Sequence, residues 1–256
     1  MALRNGVFYT DQGEGDISLV FLHFFGGSSN SWNEVIPLLS SKFRCLALDL
    51  YGFGQTKTPD IDINVDLQTK LVLQAINELQ LKDFVLIGHS MGGKISLSAA
   101  SHQPVGLRGV LLAAPSPPTP EPIPDDKRAS LKQGWGSRPE MEKLVKGLTV
   151  DPLEKTVFER VVKDHLAVSA KAWNAWLDIG SREDISAQMK KVTVPVLVTN
   201  GSDDPNFTMD FLRQEIGGNI AQTAFQEVAG AGHLIPLEKP EKLAALITGF
   251  AALEGN

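Results

Sequence analysis

A single cysteine, Cys45, stands among 256 residues. One thiol excludes an internal disulfide and any multi-cysteine metal site. Cys45 falls in a strand-like run, where it reads as a small buried hydrophobe. No apolar run is long enough to span a bilayer, and the opening Met-Ala-Leu-Arg-Asn-Gly is not a signal peptide. Basic runs are also missing. With 24 Lys and Arg against 30 Asp and Glu, the net charge of -6 argues against general affinity for nucleic acid or anionic membranes. These absences together predict a soluble, cytoplasmic protein. What is present is a 43% hydrophobic composition, enough for a sizeable core. The length suits one α/β domain with an insertion better than two domains.

The informative stretch is Asp83-Phe-Val-Leu-Ile-Gly-His-Ser-Met-Gly-Gly93. Phe84 to Ile87 form an apolar run with no polar break, as expected of a strand buried on both faces. Gly88-His89-Ser90-Met91-Gly92 matches G-x-S-x-G, and Lys94 to Ala100 reads as a helix. Strand, glycine-flanked serine and helix are the context of a nucleophile elbow. Gly88 and Gly92 let strand and helix approach, and the free N–H of Met91 at the helix start is a donor for a developing oxyanion. A glycine-rich turn with a solvated serine is the bland alternative; the flanking elements favour the nucleophile. A serine alone is a weak nucleophile, so a base and an orienting acid must lie elsewhere.

Gly6 to Thr10 alternates like an edge strand, and Ile17 to Leu22 reads as a buried strand running into His23-Phe-Phe-Gly-Gly27. Loops leaving the carboxyl ends of such strands usually carry ligand contacts. Ser28 or Ser31 is placed to cap a helix continuing through Trp32, Val35, Ile36, Leu38 and Leu39. Phe43 to Leu48 is a strand ending in Asp49 and a glycine-rich turn. Asp49 is a candidate acid, but it precedes the nucleophile strand, which favours a carboxylate that ties down the turn. A helix spans about Asp62 to Gln80, and Leu107 to Ala114 is another strand. The alternation predicts a mainly parallel sheet with helices on both faces. Pro115-Ser-Pro-Pro-Thr-Pro-Glu-Pro-Ile-Pro124 breaks it and must be extended. A helical insertion follows to about residue 189. Asp151-Pro-Leu-Glu154 reads as a helix start with proline at the first position. Trp173 and Trp176 sit on a helix whose buried face also roofs a pocket. Val192 to Thr199 and Thr223 to Val228 are the last strands. Phe207 to Ile216 and about Pro240 to Leu253 are the last helices.

Serine, acid and histidine thus follow one another as Ser90, Asp203 or Asp204, and His233. That is the α/β-hydrolase order, distinct from other serine triads. His233 lies in a glycine-flanked loop after the last strand, and an imidazole there can take the serine proton. His23 is the rival base, read instead as a brace for its own loop. The side chain of His89 points away from Ser90, and His102 and His165 read as surface helix residues.

In its motifs the chain resembles the α/β-hydrolase fold superfamily over nearly its whole length. The matching residues are His23-Phe-Phe-Gly-Gly27, Asp49-Leu-Tyr-Gly-Phe-Gly54, Gly88-His-Ser-Met-Gly-Gly93, Gly201-Ser-Asp-Asp204 and Gly232-His233. The resemblance implies a core of residues 1–114 and 190–256 with a lid at 115–189. It implies Asp204 rather than Asp203 as the acid, by the family's G-x-x-D pattern. Its oxyanion hole implies Met91 and, aligning His23, Phe25; Phe24 stands where the family often has glycine, leaving Phe24 as the alternative donor. His23, Phe24, Trp173 and Trp176 are the candidate substrate-binding residues. A serine elbow argues against haloalkane dehalogenase and epoxide hydrolase chemistry, where the family uses aspartate. The implied activity is hydrolysis of a small, largely apolar ester, by a carboxylesterase or lactonase, as a monomer or homodimer with no cofactor and no metal. A C–C bond hydrolase, a cofactor-free perhydrolase or haloperoxidase, and a non-catalytic ligand receptor are the alternatives.

Overall fold

Short apolar runs become the central strands of one sheet in the computed structural model, and the more polar Tyr9–Gln12 and Thr223–Val228 form its edges. The structure describes residues 1–3 and 6–253, so Arg4 and Asn5 of the opening stretch lie outside it. The strands are β1 (Tyr9–Gln12), β2 (Ser18–Leu22), β3 (Arg44–Leu48), β4 (Phe84–His89), β5 (Leu107–Ala113), β6 (Val196–Gly201) and β7 (Thr223–Val228). Their order is β1-β3-β2-β4-β5-β6-β7, with β1 antiparallel to β3 and every other pair parallel. Leu22 pairs with Gly88, His89 with Ala113, and Gly201 with Val228. This register brings the loops after β2, β4, β6 and β7 to the same edge of the sheet.

The helices are α1 (Ile36–Leu39), α2 (Val65–Glu78), α3 (Met91–Ser101), α4 (Asp125–Gln133), α5 (Arg138–Lys146), α6 (Lys155–Ala167), α7 (Ala170–Asp178), α8 (Met209–Leu212), α9 (Ile235–Glu238) and α10 (Pro240–Leu253). Asn64 caps α2, its Oδ1 accepting from the Leu67 N–H at 2.8 Å. Pleat alternation splits the core in two. Val85 and Ile87 of β4 face a cluster with Trp32, Leu111 and Ile247, while Phe84 and Leu86 face the other. That second cluster also takes Met141, Val145, Val161, Trp173 and Trp176. The helices inserted between β5 and β6 therefore share a core with the sheet.

Three local expectations are corrected. The helix expected from Ser28 to Leu39 is a 3₁₀ turn (Ser29–Trp32) followed by the separate α1, because Pro37 has no N–H to continue a ladder. Asp151 to Glu154 lies outside α6; the Val150 N–H is held by Glu238 and the first helical bond runs from the Phe158 N–H to the Glu154 carbonyl. The strand expected from Val192 begins at Val196, after Pro195. Residues 115–124 form no helix or strand.

The inserted segment is anchored at both ends by one buried cation. Lys94 of α3 has no exposed surface, and its Nζ donates to the carbonyls of Thr119 (3.1 Å) and Glu183. Burial lowers its pKa to about 8, against the pull of Glu121, Glu183 and Asp184. A neutral amine keeps two N–H groups, enough for both carbonyls. The unfolded chain therefore binds the proton more tightly than the folded one, and stability rises with pH between about 8 and the ordinary lysine value of 10.5. Urea unfolding across that window should show a slope of up to about 1.4 kcal/mol per pH unit that Lys94→Met removes.

Candidate active site

The turn from β4 into α3 holds Ser90 at φ 51° and ψ -116°, a left-handed conformation that a side chain occupies only where the surroundings impose it. The surroundings here are close-packed backbone. A Cβ at Gly92 would meet the carbonyl oxygens of Leu22 and His23. The N–H of Ser90 bonds to the Ala113 carbonyl at 3.0 Å, fixing the turn to β5.

Two loops converge on Ser90. His233 Nε2 lies 2.9 Å from Ser90 Oγ, and His233 Nδ1 lies 2.9 Å from Asp204 Oδ2. The imidazole and carboxylate are almost fully buried, at 4% and 0% side-chain exposure. The other oxygen of Asp204 accepts the Asn206 N–H at 2.8 Å. Asp203 is exposed and its carboxylate accepts from Ser202 instead. The structure therefore brings Ser90, His233 and Asp204 into one hydrogen-bonded chain and leaves Asp203 out.

Partner geometry fixes the tautomers of the other histidines near the site. His89 Nε2 faces the His233 carbonyl at 2.8 Å and His165 Nδ1 faces the Val161 carbonyl at 2.8 Å, so these nitrogens carry the protons. His23 Nδ1 donates to the Phe24 carbonyl, and its Nε2 accepts the Leu50 N–H at 3.1 Å. Burial holds all three pKa values down, that of His165 to about 4. His233 differs: its Nδ1 proton goes to a carboxylate, which leaves the Nε2 lone pair for the serine.

A cavity of about 500 Å³ opens on Ser90 and His233. Its wall includes Phe24, Phe25 and Trp176, whereas two other candidates are corrected. His23 is fully buried behind the loop and braces it. Trp173 is also fully buried; it stands behind Phe25, ring centroids 4.3 Å apart, with its indole N–H on the Leu131 carbonyl. His165, expected on the surface, is buried with its ring against Gly26 (φ 92°) and 5.6 Å from the Phe24 ring. Asp49 ties its turn as expected, accepting from the Ser29 N–H (2.6 Å) and the Gln55 N–H (2.7 Å). Among the described residues, no group of three or more His, Cys, Asp or Glu is placed to hold a metal, and no helix is long and apolar enough to cross a membrane.

A profile of the Alpha/beta hydrolase family matches residues 19–246. The chain belongs to that family. Among relatives, an uncharacterized hydrolase, YugF, of Bacillus subtilis is 29% identical, covering 93% of this chain and 91% of its own. The 3-oxoadipate enol-lactonase 2 of Acinetobacter baylyi is 25% identical over 88% and 84% of the two chains. Among solved structures, an esterase from Exiguobacterium antarcticum superposes with a TM-score of 0.88 at 20% identity, covering 96% of both chains.

In this hydrolase the inserted helices hold the site's loops through contacts that the linear sequence does not announce. The His233 N–H donates to the Leu148 carbonyl at 2.8 Å. Glu238 accepts from the N–H groups of Val150, Gly232 and Leu234, so one carboxylate joins the insertion to the histidine loop. Asp164 of α6 accepts from Ser28 Oγ (2.8 Å) and Asn30 Nδ2 (3.1 Å), and Arg160 pairs with Glu34. No local pattern marks Glu238, Asp164 or Arg160, because each partner is distant or backbone. Gly92→Ala is expected to cost about 2 kcal/mol or more of stability, since the added methyl meets backbone oxygens with no room to yield; urea denaturation beside wild type measures it.

Proposed function

We propose that this hydrolase cleaves small, largely apolar esters, as a carboxylesterase or lactonase, through an acyl-enzyme on Ser90. The observation that carries the reading is the Asp204–His233–Ser90 chain ending in the wall of a cavity. As Ser90 Oγ attacks the ester carbonyl, its proton passes to His233 Nε2 across the 2.9 Å contact. Asp204 holds the tautomer that leaves Nε2 free and stabilises the imidazolium. The N–H of Met91, at the first position of α3, has no helical acceptor of its own and is offered to the oxyanion with the N–H of Phe25. His233 returns the proton to the departing alkoxide. It then takes one from water, which attacks the acyl-enzyme and releases the acid and Ser90.

The wall of Phe24, Phe25, Met141, Leu144, Trp176 and Phe207 favours an apolar substrate part, and the inserted helices serve as the lid that supplies half of it. The name of the enol-lactonase relative supports the lactonase branch.

A p-nitrophenyl ester series of increasing acyl length tests this. Ser90→Ala and Asp204→Asn are each expected to lower kcat by about four orders of magnitude, and Asp203→Asn to change it less than about twofold. Ester turnover that survives in Ser90→Ala would refute the serine mechanism. Inert wild type toward every ester and lactone would refute the ester reading.

A further inference from the structure

One lining residue does not belong in an apolar ester pocket. Glu121, on the extended proline-rich segment, is 9% exposed, and its Oε1 has no hydrogen-bond partner among the described residues. Its backbone is locked: the N–H donates to the Ser181 carbonyl at 2.7 Å, and its carbonyl accepts from Arg128 at 3.2 Å. The Ser116 side chain acts on the carboxyl and favours its ionised form, and the Ser116 N–H bonds to the Ser90 carbonyl at 3.0 Å. Ser116 thus lies between Glu121 and the backbone of Ser90. The terminal torsion of a glutamate is broad, so a small rotation presents the unpartnered oxygen to the cavity. Burial pushes the carboxyl's pKa up, against Ser116, Lys94, His233 and Arg128.

We propose that Glu121 is a specificity-determining residue and that the cavity takes esters bearing a hydroxyl group, which hydrogen-bonds to its carboxyl. The proposal rests on the ester-hydrolase reading above. A hydroxyl fits both states of the carboxyl, donating to the ionised form or accepting from the neutral one. A cation fits poorly beside Glu121, because Lys94 and Arg128 already flank it; the other charged residues lining the cavity, Lys127, Lys143 and Glu140, include two further cations against one carboxylate. An anionic substrate group would face the carboxyl itself.

The test compares kcat/KM for p-nitrophenyl alkanoates with analogues in which one hydroxyl is moved stepwise along the acyl chain, and for butanoates of simple alcohols with those of diols. Wild type should favour the hydroxylated ester at one position by about tenfold or more. Glu121→Leu should abolish that preference, bringing the kcat/KM ratio of hydroxylated to unsubstituted ester to about one, and Glu121→Gln, which still offers an amide, should retain part of it. No preference in wild type, a preference for an amine-bearing analogue instead, or an equal loss on all esters in both variants would overturn the proposal. A second arm does not depend on turnover. Calorimetry of Ser90→Ala protein with hexan-1-ol and with hexanediols should show tighter diol binding that is lost when Glu121→Leu is added. If wild type hydrolyses no ester, the ester reading fails, and this arm alone decides Glu121: equal affinities overturn it.

Discussion

A tight crossing governs this molecule: β4 must turn into α3 around Ser90 while β2 and β5 press from either side. The positive φ of Ser90 costs on the order of 1–3 kcal/mol, which only a rigid setting sustains. That setting is the central sheet. Phe84 to Ile87 are fully buried, Gly92 lies on the carbonyls of Leu22 and His23, and the Ser90 N–H is held by Ala113. The strain therefore aims the hydroxyl, because the backbone has no neighbouring conformation to relax into. Loops after β6 and β7 then need only reach the same edge of the sheet, and the parallel register delivers them there.

The inserted helices answer a second constraint. The loops after β2 and β7 are held to the sheet side by Asp49, His23 and His89, and the insertion holds their other side. Leu148 and Glu238 hold the loop of His233, while Asp164, His165 and Trp173 hold residues 24–30. Lys94 fastens both ends of the insertion to α3, the helix that follows Ser90. A segment that forms most of the cavity wall is thus also part of the scaffold for Ser90, His233 and Asp204, and a change in one is felt in the other.

The sheet was legible in the sequence because its signal is local: unbroken apolar runs give β2 to β6, and proline and glycine punctuate them. The Ser90 turn was legible for the same reason, since its glycines answer a steric demand of the neighbouring residues. Which of Asp204 and Asp203 meets His233 depends on three-dimensional reach, because both carboxylates share one loop and one faces solvent. His165 was misread because the face of α6 that packs on Gly26 looks amphipathic in isolation. Trp173 and His23 were placed one layer too close to the cavity, since periodicity reports burial and not what lies between a side chain and the ligand. Glu238 and Lys94 left no trace, because their partners are backbone groups, which no residue type marks.

The crowd of histidines around the site explains why one of them is suited to be the base. His89 lies 5.4 Å from His233 ring to ring, and two imidazolium charges at that distance inside a protein would repel strongly. Each of the other buried rings avoids charge by the same means: one nitrogen donates to a carbonyl, and the second has either no partner, as at His89 Nδ1 and His165 Nε2, or an N–H donor, as at His23. A carbonyl stabilises the N–H that faces it but offers nothing full-charged to balance an imidazolium. Asp204 offers a carboxylate, so of the four rings only that of His233 hydrogen-bonds to one. His23 also feels the charge of Asp49, but burial outweighs that attraction and holds its pKa down, as burial does at His89 and His165, so a positive charge formed in the proposed reaction is best placed on His233, next to Ser90.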